Sequence, residues 1–364
     1  MTSLRVAIVG SGIIGQNHAI AILRDPRLQI VALVDPVPEA NARLAETLSL
    51  AATSFTTLDA ALAGGDIDIV VITSPSGTHT PLAEIALAAG AHVIIEKPLD
   101  ASLAAGRRLT ELANAAESRG QVCSVISQHR FDPASVAVAQ AVAAGGFGRI
   151  TSAVASVAWW RGQDYYDSAG WRGTWAQDGG GATFNQGVHT VDLLLWFLGR
   201  PVEVFAHTGV LAHERIEVED VAVATVRFES GALAVLHATT AAYPGLSVRL
   251  QVHGSLGSAI IDDDQLEFYL DSSGHSAADV VPAGDLKGAA KPADNFVTGH
   301  LRQIREIVDA IVDGRAPAVR ADDAMLALAT VKAVYISAFL HAPVEIDAVI
   351  SGEFDHALST LEKS

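Results

Sequence analysis

The six residues Gly10-Ser11-Gly12-Ile13-Ile14-Gly15 constrain this chain more than any others. They follow the apolar run Leu4–Val9 and open a helical pattern, so they read as the turn between a first strand and a first helix. Gly10 makes the tight turn, and Gly12 lets the backbone approach a pyrophosphate that the helix N-terminus then stabilises. The pattern predicts dinucleotide contacts from Gly10, Gly12, Ile13, Ile14 and Gly15. Asp35 ends the second apolar run, 20 residues after Gly15. A carboxylate there accepts hydrogen bonds from ribose hydroxyls and repels a 2′-phosphate. Pro36-Val37-Pro38 follows, with no Arg beside it, so the expected cofactor is NAD in preference to NADP.

The rest of the first third keeps the same rhythm. Leu4–Val9, Ile30–Val34, Ile67–Thr73, His92–Glu96 and Val122–Ser127 are apolar on both faces, as strands of a buried parallel sheet are. Helical patterns at Glu39–Leu48, Pro81–Ala89 and Leu103–Ser118 separate them. Alternation of this kind specifies an α/β Rossmann domain with a doubly wound parallel sheet, expected over residues 1–126. After a helix at about Pro133–Ala144 the chain becomes strand-rich. Ile150–Trp160, Val202–Leu211, Val221–Glu229, Leu233–Thr240, Ser247–His253, Ala259–Ile261 and Leu266–Leu270 are candidate strands, with turns at Ser230-Gly231 and Gly254–Gly257. Helices are expected over about Phe184–Leu198, Phe296–Asp313 and Asp322–Leu340. Residues 127–364 therefore read as an α+β domain with a large, mainly antiparallel open sheet. The Gly-, Ala-, Ser- and Asp-rich segment Asp271–Asp294 is expected to be a mobile surface loop.

Composition narrows the function classes. With 24 Lys and Arg against 41 Asp and Glu, the net charge is −17, which disfavours nucleic acid as a partner. No stretch approaches the roughly 18 unbroken apolar residues that a membrane helix needs. The N-terminus runs straight into a strand, so a cytoplasmic protein with no membrane association is expected. Cys123 is the only cysteine and lies in an apolar run, which suits a buried structural thiol in a reducing compartment. No metal site is expected.

Two longer motifs carry a resemblance. The strand around His92–Ile95 ends in Glu96-Lys97-Pro98. Further on, a glycine run leads into a helix in Gly179-Gly180-Gly181-Ala182-Thr183-Phe184-Asn185-Gln186-Gly187-Val188-His189-Thr190-Val191-Asp192. Thr73–His79, Gln128-His129-Arg130-Phe131 and His253–Ser258 add smaller matches. Together with the glycine-rich turn, these motifs resemble those of the glucose-fructose oxidoreductase, inositol dehydrogenase and MocA (Gfo/Idh/MocA) family, over essentially the whole chain.

The resemblance implies an NAD-dependent oxidoreductase acting on a secondary hydroxyl of a sugar, sugar derivative or inositol-like cyclitol. It implies His189 as general base, Asn185 beside it, and Lys97 as donor to the reacting oxygen. Histidine suits proton abstraction because its pKa lies near neutrality, and a lysine at the carboxyl end of a parallel strand lowers the cost of a developing alkoxide. On the predicted helix, Asn185 and His189 stand at i, i+4 and so share a face. Gly179–Gly181 is expected to let backbone pass close to a ligand. Ser74, Pro75, His79, Glu96 and Lys97 complete the implied cofactor contacts. Two positions depart from the family pattern: Asn185 stands where Asp is usual, as in some sugar and nucleotide-sugar branches, and Ser76 where Asn is frequent.

Trp159-Trp160-Arg161, Tyr165-Tyr166 and Trp171-Arg172 cluster just before the glycine run. Trp and Tyr cover the apolar face of a sugar ring, and Arg binds hydroxyls, carboxylate or phosphate. The expected substrate contacts are Lys97, Arg130, Trp160, Arg161, Tyr166, Trp171, Arg172, Asn185 and His189. Two other readings use the same residues: a redox-neutral NAD-dependent glycosidase working through glycoside 3-oxidation, and a non-catalytic nucleotide-sensing regulator, against which retention of Lys97 and His189 argues. Apolar residues on both alternating faces of Ile150–Trp160 and Val221–Thr240 predict a homodimer or homotetramer through the second sheet.

Overall fold

The structure is a computed structural model of the 364-residue chain. It describes residues 3–170, 172–291 and 294–362. The chain forms two compact units, Met1–Gln128 with Pro292–Met325, and His129–Lys291 with Leu326–Ser364.

The first unit is built on strands β1 (Leu4–Val9), β2 (Leu28–Val34), β3 (Thr53–Phe55), β4 (Ile69–Ile72), β5 (His92–Ile95) and β6 (Cys123–Val125). They form one parallel sheet in the order β3-β2-β1-β4-β5-β6. The order reverses between β1 and β4, and ligands of such sheets bind outside the strand ends at that point. β1 from Val6 on and the whole of β4 are Val, Ile and Ala and lie buried, because helices cover both faces of the sheet. The expected doubly wound fold is the one observed. The short β3 and the helix Leu58–Gly64 after it were not read from the sequence. β3 is a three-residue edge strand with two exposed residues, too short to show a period.

The helix Asn295–Asp313 departs from the expected domain assignment, which placed everything after residue 126 in the second domain. It packs in the first unit, against the helix Ile13–Leu23. Val297, Leu301, Ile304, Ile307 and Val308 make one apolar stripe that joins Ala19, Ile22, Val6 and Ile8 in a single core. A boundary drawn where strand rhythm changes misses a helix that returns after the second sheet is complete.

The second unit contains β7 (Ile150–Ala158), β8 (Pro201–Gly209), β9 (Val221–Phe228), β10 (Leu233–Thr239), β11 (Val248–Gly254), β12 (Ser258–Asp262), β13 (Gln265–Leu270) and the two-residue β14 (Val344–Glu345). They form an eight-stranded sheet in the order β13-β12-β11-β7-β10-β9-β8-β14, antiparallel except between β7 and β10. Helix Val188–Leu198 packs on β7 and β11, and helix Pro133–Ala143 on β12 and β13. β9 alternates regularly: Ala222, Ala224, Val226 and Phe228 are buried, and Val223, Thr225 and Arg227 face outward. Val223, Leu233 and Val235 leave a partly apolar outer face.

Two further expectations change. The single helix read over Phe184–Leu198 is two, Ala182–Asn185 and Val188–Leu198. Gly187 N–H reaches back to Ala182 O, and Gly187 then caps the second helix. The segment expected to be a mobile loop over 271–294 carries local structure in its described part, 271–291, while residues 292 and 293 lie outside the described residues. The Asp271 carboxylate accepts from the N–H groups of Ser273 and His275, Ser276 and Asp279 form a capping box on the short helix Ala277–Val280, and Leu270 and Leu266 bridge to Ser276 and Leu286. Helix Ala321–Leu340 is long and apolar enough, by length and composition, to cross a membrane, yet 72% of its apolar window is buried within the protein and Lys332 lies in its middle.

Candidate active site

In the first unit, the turn after β1 and the turn after β4 lie at the point where strand order reverses. Gly10 has φ +103°, and a Cβ there would stand 2.8 Å from Ser74 N. Thr73 Oγ1 donates to Gly10 O at 2.7 Å, pinning the two turns together. A Cβ at Gly15 would collide with Gly10 O, whereas Gly12 faces open space. No side chain caps the helix that starts at Ile13, and its first turn carries no acid. Ile13 is 80% exposed and Ile14 is exposed too. Bare backbone N–H groups and exposed apolar residues at one helix start fit a dinucleotide diphosphate and its sugar. Asp35 closes the turn from the other side: its carboxylate accepts from Ser11 N–H and Val37 N–H, both at 2.9 Å. Ser74 shares a 2.7 Å hydrogen bond with Thr78, and Pro75 is exposed.

Two residues expected to touch cofactor are occupied otherwise. His79 is wholly buried, with Nδ1 3.0 Å from Pro98 O and Nε2 3.0 Å from Ser74 O, so it joins two loops and offers no free edge. Glu96 is buried among three donors. Its Oε1 accepts from His18 Nε2 at 2.7 Å and His300 Nε2 at 3.1 Å, and its Oε2 accepts from Lys97 N–H at 3.0 Å. Burial works against the anion, but the two histidine hydrogen bonds outweigh it and hold the carboxyl well below its usual range. Burial likewise lowers the His18 pKa, and His18 Nδ1 has no partner among the described residues. The Lys97–Pro98 bond is cis. Lys97 is half-buried, and its ammonium has no hydrogen-bond partner among the described residues.

In the second unit, the glycine run has a different purpose from the one expected. A Cβ at Gly181 would collide with Glu219 O, and one at Gly180 would stand 2.6 Å from Tyr335 Oη. The space is filled by protein. Glu219 is buried and takes Gly181 N–H at 2.9 Å, Thr183 N–H at 2.8 Å and the Tyr335 hydroxyl at 3.0 Å. Even so, burial pushes its carboxyl up to about 7. Lys332, buried on the next turn of the same helix, donates to Gly179 O at 3.0 Å.

Because the helix breaks at Gly187, Asn185 and His189 do not share one helical face, as i, i+4 spacing implied. Both are half-exposed. The Asn185 amide spends both protons, on Asp178 Oδ1 at 3.0 Å and Gly180 O at 2.8 Å. It cannot donate to His189, and a carboxylate already stands next to it. Arg130, expected on substrate, is buried, and its fork is taken up by Asp192 at 2.8 and 2.7 Å. Tyr166 is also buried: its hydroxyl bonds Thr240 at 2.8 Å, and burial pushes the phenol up to about 12. Trp160, Arg161 and Arg172 remain half-exposed. Arg161 lies 5.1 Å from the rings of both Trp159 and Tyr165, and Arg172 lies 4.3 Å from Tyr165. Two guanidiniums share one aromatic platform, an arrangement suited to polar or anionic ligands. Trp171 lies outside the described residues.

Sequence reasoning assigned nothing to His18, His300, Glu219 and Tyr335, nor to a cluster around His129. His129 Nδ1 lies 2.9 Å from Asp132 and 3.1 Å from Asp264, and Lys291 pairs with Asp264 at 3.3 Å. Burial works against the charged ring, but Asp132 and Asp264 outweigh it and raise His129 to about 10. The only signal was the match at Gln128–Phe131. Asp264 is 135 residues away, in a turn whose pairing no local pattern reveals.

Comparison with known proteins agrees with this architecture. Residues 4–126 match the model of an oxidoreductase family with an NAD-binding Rossmann fold, and residues 135–260 match the GFO/IDH/MocA C-terminal domain. The chain is 27% identical to inositol 2-dehydrogenase of Rhizobium meliloti, over 90% of this chain and 94% of that protein. It is 24% identical to scyllo-inositol 2-dehydrogenase (NAD(+)) of Bacillus subtilis, over 94% and 96%. The WlbA dehydrogenase from Bordetella pertussis, solved with NADH and UDP-GlcNAcA, superposes with a TM-score of 0.82 at 30% identity, covering 94% of this chain and 98% of that one. By fold, by the two motif-bearing halves and by likeness along its length, this chain belongs to the Gfo/Idh/MocA family of NAD-binding oxidoreductases.

Proposed function

We propose that the protein is an NAD-dependent dehydrogenase that oxidises a secondary hydroxyl of a sugar, sugar derivative or cyclitol. One observation carries the reading. The turn after β1 stands at the point of order reversal, and the Glu96-Lys97-Pro98 segment ends β5 on the far side of β4, in a chain similar, nearly end to end, to inositol 2-dehydrogenases. When bound, NAD supplies the hydride acceptor at C4 of its nicotinamide.

The protein's residues position and manage charge and protons. In the first unit, the uncapped helix start receives the diphosphate, and Asp35 takes the ribose hydroxyls and repels a 2′-phosphate, so NAD is preferred over NADP. Lys97 donates to the substrate oxygen and stabilises the alkoxide. In the second unit, His189 takes the hydroxyl proton, with Asn185 held beside the glycine run. Trp160, Arg161 and Arg172 line the substrate end. The outer face carrying Val223, Leu233 and Val235 supports a homodimer or homotetramer built through the second sheet.

The test is a panel of inositols, aldoses, nucleotide sugars and glycosides offered with NAD and followed at the NADH absorbance. NADH accumulation with at least one polyol is expected. Glycoside cleavage without net NADH would replace this reading by the redox-neutral one.

A further inference from the structure

We propose that His129 is a positioning residue that holds a fixed positive charge against His189 and so keeps His189 unprotonated at neutral pH. The inference rests on the reading of His189 as the base.

Geometry carries it. His129 lies on the turn Gln128–Phe131, directly before the helix Pro133–Ala143. Its Nδ1 faces two carboxylates, Asp132 at 2.9 Å and Asp264 at 3.1 Å. Two acceptors on one ring nitrogen require an N–H there and favour the charged ring. The ring meets that of His189 edge to face, with ring centres 5.0 Å apart. A second imidazolium at that distance is disfavoured by like-charge repulsion, so protonation of His189 is the step that yields. The elevated pKa of His129 agrees with this assignment.

Asp264 sits in the turn between β12 and β13 and also pairs with Lys291. In the same turn Asp262 and Asp263 are engaged by Lys287, and Asp262 by Arg249 as well. On the helix that bears His189, Asp192 is neutralised by Arg130. Asp178, next to Asn185, holds the Gly173 N–H and the Asn185 amide. Within the His129 group itself, His129 and Lys291 balance Asp132 and Asp264, and the His129 ring packs against the ring of His189.

Three variants separate charge from shape. His129→Gln removes the cation and leaves two carboxylates, so His189 should become easier to protonate. Asp264→Asn removes one carboxylate while Asp132 still holds His129, so His189 should become harder to protonate. Asp264 has φ +65°, which Asn tolerates. His129→Lys keeps the charge and should restore wild-type behaviour. The readouts are the titration of His189 by NMR of histidine-labelled full chain, identified by its loss in His189→Asn, and the acidic limb of kcat/KM. The expected result is a shift of about one pH unit upward in His129→Gln and a smaller downward shift in Asp264→Asn, in both readouts. Shifts in the same direction, or none in the NMR titration, overturn the inference. An NMR titration that moves as expected beside a stationary kinetic limb retires His189 as the base and leaves the charge coupling standing.

Discussion

Replacing Glu96 with Gln tests whether the buried His18–Glu96–His300 group holds the first unit together. The carboxylate accepts three hydrogen bonds, from His18 at 2.7 Å, Lys97 N–H at 3.0 Å and His300 at 3.1 Å. Glutamine keeps the volume but offers one acceptor oxygen, so its NH2 must face a donor. If the oxygen stays with the histidines, Lys97 N–H is stranded; if it turns to Lys97, both histidines face an amine. An unsatisfied buried donor costs about 1–3 kcal/mol, and removing one partner of a buried charged group about 3–5 kcal/mol. His18 can move its proton to the unpartnered Nδ1 and relieve part of the conflict, so a loss of about 3 kcal/mol is expected. At about 2–4 °C per kcal/mol for a unit of this size, that is about 6–12 °C in Tm. Because Glu96 is held well below its unfolded pKa, its contribution is present above about pH 4.3 and is lost only as pH falls through the depressed folded value. Scanning calorimetry of wild type and variant should therefore show the same gap at pH 8 and at pH 6. A Tm within 2 °C of wild type at both would refute the reasoning.

Other consequences follow from single contacts. Lys97→Ala should leave NAD affinity largely intact by titration calorimetry and lower kcat by about 10²–10⁴-fold, as for loss of a positioned electrostatic or proton-transfer group. Asp35→Ser combined with Pro36→Arg should narrow the preference for NAD over NADP in kcat/KM, and a wild-type preference for NADP would contradict the assignment. Asn185→Asp places a second carboxylate 3 Å from Asp178, so activity should fall, and the exchange Asp178→Asn with Asn185→Asp should recover more activity than the single change. Glu219 is raised to about 7 in the fold, so its stabilising contribution is complete below about pH 4.3 and is lost as pH rises through 7. Glu219→Gln should flatten the fall in Tm over that window.

The legible parts of this protein are those with a short-range period or a local motif. β1, β4 and the turn at Gly10–Gly15 were readable because a buried parallel strand is apolar throughout and the turn needs particular glycines. The place of Lys97 just past the end of β5 was readable from the apolar run before it and from Pro98 after it. Roles failed to transfer where a residue type fits two tasks. Arg130 and Tyr166 suit a sugar, but they also suit a buried pair with Asp192 and a hydrogen bond to Thr240, and the second use is the one observed. Glu96 and His79 are motif residues whose side chains serve the scaffold under the site. The glycine run at 179–181 makes room for Glu219 and Tyr335, partners 38 and 154 residues away from Gly181 in sequence. His300 reaches Glu96 from a helix 204 residues on. Such pairings depend on tertiary proximity, and no local pattern encodes them.

The central claim, hydride transfer from a substrate carbon to NAD, is tested most directly with isotope. Myo-inositol, scyllo-inositol and glucose, each deuterated at its carbinol carbons, are incubated with the protein and NAD, and the reduced cofactor is isolated. The account predicts NADH carrying one deuterium at C4 of the nicotinamide from at least one of these polyols, with formation lost in Lys97→Ala. NADH that contains no deuterium, or substrate conversion with no label ever reaching the cofactor, would contradict it.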